Sequence, residues 1–100
     1  MKMVQYLRLV DGSDVIAKIE KKQGSISLIK PVRLGLIPTP QGMNILMEPL
    51  NLFGVNTMHQ IDVPYEHILF MDEPNLDILN SYNQKYGSGI VQATNLELNI

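Results

Sequence analysis

Asp11-Gly12, set between two runs of period-two residues, constrains this chain more than any other feature. Within residues 4–19, Leu7 and Leu9 alternate with Arg8 before the dipeptide, and Val15, Ala17 and Ile19 alternate with Ile16 and Lys18 after it. A two-residue period on both sides of a turn signal predicts a β-hairpin. Asp hydrogen-bonds its own backbone and tolerates positive φ, Gly enters that region at no steric cost, and Ser13-Asp14 extends the turn into a four-residue loop.

The alternation continues. Lys21-Lys22-Gln23-Gly24 reads as a polar turn, and Ser25-Ile26-Ser27-Leu28 begins a third strand, so the first three strands form a meander. Pro31 has no ladder donor, so that strand should bend, bulge or lie at an edge there, with Val32, Leu34 and Leu36 carrying the apolar face onward until Pro38-Thr39-Pro40-Gln41-Gly42 ends it. Met43 to Glu48 is a fourth strand. Residues 49–58 are too apolar for an ordinary surface loop and too broken by Pro49, Asn51, Gly54 and Asn56 for a clean strand. They predict a bulged or looped interruption of the fourth strand, in which Leu52 and Phe53 either cover an interface or cap the core. Gln60 to Val63 regains alternation, Pro64-Tyr65 turns the chain, and His67 to Met71 is a short apolar last strand.

From Leu76 the period changes. Leu76, Leu79, Tyr82 and Tyr86, with Ile78 beside them, define one apolar face of a helix over residues 74–86. Pro74 suits the first helical position, Glu73 and Asp77 the positive end of the dipole, Lys85 the negative end, and Gly87 the left-handed C-terminal conformation. The fold class that follows is mainly β: a five-stranded, strongly bent antiparallel sheet over residues 1–72 and one C-terminal α-helix, residues 73–87, packed on its open side. Residues 88–100 form a flexible tail or a short extra strand at Ile90 to Ala93.

One hundred residues hold one small domain, and no apolar run approaches the roughly 20 residues that span a bilayer. With no Cys and no signal-like segment after Met1, the expected compartment is the cytoplasm and no membrane contact is expected. Residues 1–33 carry a formal charge of +4 and residues 34–100 one of −6, which suits an N-terminal half that meets phosphates. Arg8 and Lys18 nevertheless fall on solvated strand faces, where charge is expected whatever the function. His59 and His67 are the only histidines, and there is no HExxH, GxSxG or strand-to-helix Gly-rich loop. The chain is therefore read as non-enzymatic, without cofactor or metal.

The strand order and two motifs resemble the Sm and LSm family of small ring-forming β-barrels, an SH3-type open barrel. Leu9-Val10-Asp11-Gly12-Ser13-Asp14-Val15-Ile16-Ala17-Lys18-Ile19 looks like the first half of the family's first motif, with Ala17 where Gly is usual. Ile61-Asp62-Val63-Pro64-Tyr65-Glu66-His67-Ile68-Leu69-Phe70 looks like its second motif, with Val63-Pro64 in place of Arg-Gly. Together with Glu73-Pro74-Asn75 and Gln84-Lys85-Tyr86-Gly87-Ser88-Gly89-Ile90, the chain resembles a marine cyanophage group of Sm-like proteins, for which the host cytoplasm is the implied location.

The resemblance implies a ring that binds RNA or single-stranded DNA, with Lys21, Lys22, Gln23, Tyr65 and His67 lining the pore face by charge and stacking. Ser25 stands where the family's RNA-contacting Asn would be. The alternative is an assembly ring that scaffolds protein partners through Leu50 to Val55 and holds no nucleic acid. Either reading needs a closed homo-oligomer. The apolar Ile68, Leu69 and Phe70 of the last strand are expected to pair with Ile61 and Val63 of a neighbouring copy, head to tail.

Overall fold

The structure, a computed structural model, describes residues 3–86. Six strands and one helix follow in order: β1 (Met3–Leu9), β2 (Asp14–Lys21), β3 (Ser25–Thr39), β4 (Gly42–Pro49), β5 (Gln60–Pro64), a single 3-10 turn (Tyr65–His67), β6 (Ile68–Asp72) and α1 (Leu76–Tyr86). Every pairing is antiparallel. The sheet order is β4-β3-β2-β1-β6, and β5 pairs with β3, so the described strands do not close into a barrel.

The first hairpin forms as its residues dictate. Arg8 lies opposite Asp14, Gly12 sits at φ +91, and the Ser13 N–H donates to Asp11 Oδ1 at 2.9 Å. Its four-residue loop is Val10–Ser13, one residue earlier than the sequence suggests.

Where five strands were expected there are six, because the fourth is divided. Its two pieces lie end to end on the same edge of β3: β5 pairs with Ser25–Ile29, and β4 with Val32–Thr39. The cause is at Lys30-Pro31. Between the pairs Ile16–Val32 and Lys18–Ile29, β3 holds two residues against one on β2, which is a β-bulge. Lys30 takes φ +50, and Pro31 is buried without an N–H to offer. The Lys30 N–H donates to His59 O at 2.7 Å, and Leu50 N–H donates to Pro31 O at 2.9 Å. The bulge therefore passes the edge of β3 from one partner to the next, while residues 50–59 loop outward.

Alternation along the strands divides the core between the two faces of the sheet. On one face Leu7, Val15, Ala17, Ile19, Ile26, Leu28 and Val63 form one cluster; on the other Ile16 and Val32 are covered by Tyr82 of α1. Strand β2 is thus buried on both faces at its middle. Two details of α1 differ from expectation. Asn75 Oδ1 accepts the Ile78 N–H at 2.9 Å, which makes Asn75 the cap and leaves Pro74 outside the helix. Leu76 is exposed, and the packed stripe is Ile78, Tyr82 and Tyr86 at four-residue spacing. Residues 87–100, with the expected Gly87 cap and the strand at Ile90 to Ala93, lie outside the described residues. No helix among the described residues is long and apolar enough to cross a membrane.

Candidate nucleic-acid interface

The turn between β2 and β3 is Lys22-Gln23-Gly24. Gly24 adopts φ +82, which glycine enters without strain, and Lys22 N–H donates to Ser25 O at 2.9 Å to close the loop. Ser25 pairs with Pro64, so the end of β5 lies beside this turn. The Tyr65 hydroxyl then donates to Lys22 O at 3.0 Å. One bond ties two loops. Lys21, Lys22, Gln23 and Tyr65 are all exposed, and they share one rim of the sheet.

Lys22 is not alone there. Its Nζ lies 3.3 Å from Asp62 Oδ2, and Asp62 Oδ1 accepts a hydrogen bond from the Ser27 hydroxyl. Ser27 is fully buried, and Gln60 Nε2 donates to its Oγ at 3.5 Å. The Ser27 hydroxyl holds the Asp62 carboxyl below the usual carboxylate range, against the opposing effect of desolvation and with lesser help from the Lys22 ammonium. Glu20, opposite Ser27 across β2 and β3, adds a second acid to this side of the sheet. Consequently the rim is less positive than its two lysines suggest. Lys21 makes no ion pair among the described residues.

His67 is exposed at the other end of the same 3-10 turn, and its carbonyl accepts the Val10 N–H at 2.9 Å. It is thereby tied to the β1–β2 loop, whereas Tyr65 is tied to the β2–β3 loop. Among the described residues no hydrogen bond joins its imidazole to Lys22 or Tyr65.

The expected assembly residues divide into two groups. Ile61, Val63 and Ile68 direct their side chains at the core cluster around Leu7, whereas Leu69 is 60% and Phe70 44% exposed. Leu69 has no partner on β1, since Arg8 pairs with Phe70 and Leu9 with Ile68. It is the bulged residue of β6. Phe70 is held against Tyr6 and Arg8, with ring centroids 5.7 Å apart and the guanidinium carbon 5.6 Å from the ring centre. Both β5 and β6 keep one unpaired edge among the described residues.

Sequence reasoning missed Asp62, Ser27 and Gln60. Alternation puts Asp62 on the outer face of its strand, but its ion pair with Lys22 spans 40 positions and exists only through the β3–β5 register. No group of three His, Cys, Asp or Glu side chains among the described residues is arranged to hold a metal ion. No protein-family model matches this chain, and no curated protein sequence matches it.

Proposed function

We propose that this is a non-catalytic, ring-forming Sm-like protein that binds RNA or single-stranded DNA at the rim built by Lys21, Lys22, Gln23 and Tyr65. The observation that carries the reading is the 3.0 Å bond from the Tyr65 hydroxyl to Lys22 O, which fixes a 41% exposed aromatic ring beside two lysines. A ring face offers stacking to any base, and ammonium groups neutralise phosphates, so the combination suits single strands without sequence readout. His67, on the same turn, extends the rim toward the β1–β2 loop.

Assembly follows from the unpaired edges. β5 and β6 are five residues each, and pairing β6 of one copy with β5 of the next is a head-to-tail contact that closes into a ring at constant rotation. Fluorescence polarisation with labelled single-stranded RNA and DNA tests the binding. Neutralising about four phosphates gives a salt slope of about −0.7 per phosphate, hence roughly fiftyfold weaker binding at 200 mM than at 50 mM salt. Lys21→Glu with Lys22→Glu should weaken binding uniformly across sequences. Undiminished affinity in that variant removes the rim as the site.

One observation favours the second reading, a protein-scaffolding ring. In the loop after β4, Phe53 is 100% and Val55 83% exposed, beside exposed Leu52. Such a patch suits a protein partner. Failure of both nucleic acids to bind at low salt, with the oligomer intact, would favour it.

A further inference from the structure

Strand β4 presents an edge that neither proposed use of the protein needs. The sequence from Leu34 to Met47 has no charged residue, and it folds as the β3–β4 hairpin, with Leu36, Ile37, Met43, Ile45 and Leu46 all exposed. Among the described residues β2 accompanies β3 only as far as the Asp14–Leu34 pair, so the rest of the hairpin is a two-stranded arm. Leu34, Leu36, Ile45 and Met47 lie on the face where α1 packs, and Asn44 and Leu46 lie on the other. An uncharged arm with an apolar edge invites another strand.

Which backbone groups are open follows from the turn. Thr39 and Gly42 flank the two residues Pro40-Gln41, and the pair that flanks a two-residue hairpin turn exchanges hydrogen bonds. Gly42, Asn44 and Leu46 therefore direct N–H and C=O at β3, and Met43, Ile45 and Met47 direct theirs away from it. The Leu50 N–H, in phase with the first set, donates to Pro31 O. The Met47 carbonyl is occupied, since the Tyr86 hydroxyl donates to it at 3.4 Å. That leaves the N–H and C=O of Met43 and Ile45, which pair with no strand among the described residues. An apolar small molecule or a lipid surface would desolvate these groups without bonding them, whereas a strand satisfies them all.

We propose that β4 pairs antiparallel with β4 of a second copy about a two-fold axis at Asn44, which sets Met43 opposite the partner's Ile45 and Gly42 opposite the partner's Leu46. This register uses the open backbone groups of both Met43 and Ile45 in each copy and leaves Met47 with Tyr86. A centre at Ile45 would require the Met47 carbonyl, and a centre at Met43 would set Ile45 opposite the turn residue Gln41. At the axis two Asn44 side chains meet on the face away from α1, and a primary amide, donor and acceptor at once, complements its own copy. Met43 and Ile45 of both copies form one apolar strip on the α1 face. It continues into a groove of about 390 Å³ that Leu34, Leu36 and Ile45 make with Pro74 and Ile78 at the start of α1. No like charges face each other, because the nearest, Arg33 and Glu48, lie outside the overlap and already pair at 3.4 Å. The contact is isologous and closes at two copies, and the β5 and β6 edges stay open.

Because the sequence has no cysteine, a single substitution reports the axis. Residues facing each other at a non-hydrogen-bonded position have Cα atoms about 4.5 Å apart, within disulfide range, so Asn44→Cys in the full-length chain should oxidise to a covalent two-chain species. Leu46→Cys, on the same face but with its two copies about 13 Å apart along the strands, is the control and should link at least about tenfold more slowly. A Leu69→Lys background, which alters the β6 edge assigned to the ring, separates the two contacts: linking through Asn44→Cys should persist there. Hydrogen exchange gives an independent reading, since the Met43 and Ile45 amides should gain protection as protein concentration rises and lose it in Ile45→Lys. Linking no faster than the control, linking abolished by Leu69→Lys, or exchange at Met43 and Ile45 that does not vary with concentration would overturn the proposal.

Discussion

Asp62 and Asp14 are both carboxylates on strand faces, yet they serve different neighbours. Asp14 Oδ1 accepts from Arg8 Nε at 2.8 Å and from the Tyr6 hydroxyl at 2.7 Å, so the Arg8 bond, with help from Tyr6, depresses its carboxyl below the ordinary value. A depressed folded-state value contributes stability above the unfolded value and loses it as pH falls through the folded one. Asp14→Asn should therefore remove part of the acid sensitivity of unfolding below about pH 4, read as a flatter dependence of denaturation midpoint on pH than in the parent protein. At the rim, Asp62 draws on Lys22. If the rim binds phosphate, Asp62→Asn should tighten single-strand binding and steepen its salt dependence, because one competing anion is gone. Polarisation titrations at two salt concentrations decide this, and weaker binding in the variant would count against the site.

At the scale of elements, the bulge at Lys30-Pro31 and helix α1 depend on each other. The Tyr82 hydroxyl donates to Lys30 O at 2.9 Å and lies 3.2 Å from Ile29 O, and the side chain is 1% exposed. These carbonyls belong to the stretch where the ladder is broken. Tyr82→Phe keeps the packing against Ile16 and Val32 but leaves a buried acceptor without its donor, which should cost about 1–2 kcal/mol in a urea titration. Burial pushes the Tyr82 phenol up to about 12. Since the folded value is raised, its stabilising effect is complete below pH 10 and is lost as pH rises toward 12. The parent protein should therefore lose stability in that window faster than the Tyr82→Phe variant does. By contrast, Phe53→Ser, at a wholly exposed loop position, should change stability by less than about 0.5 kcal/mol.

For the whole molecule, the proposed assembly rests on one short apolar edge. Leu69 bulges from β6 while Ile68 and Met71 reach the core cluster around Leu7, so the outer edge carries a device that restrains indiscriminate pairing. A partner strand must match that irregularity, which favours one fixed register over open-ended aggregation. Light scattering after size exclusion should give a discrete multiple of the chain mass at micromolar concentration. Leu69→Lys should shift it toward the single-chain mass with little change in folded stability, because its side chain is already in water. A single-chain mass for the parent protein at that concentration would remove the ring and the pore face together.

Local chemistry by itself determined the first hairpin, the turn at Pro40-Gln41, the bend at Pro31 and the position of α1. Each depends on residues within a few positions: Asp11 with Ser13, Pro31 beside Lys30, Asn75 with Ile78. The start of α1 was missed by two residues because Pro74 and Asn75 both suit a helix entrance, and the hydrogen bond from Ile78 N–H favours Asn75. Leu76 fits the apolar period but is left 69% exposed. Of the rim, the exposure of Lys21, Lys22 and Gln23 was legible as a polar turn. Their union with Tyr65, and the opposition of Lys22 by Asp62, were decided only by the tertiary structure. Both join residues about 40 positions apart, and such contacts follow from strand register, which the bulge in β3 sets and no local pattern encodes.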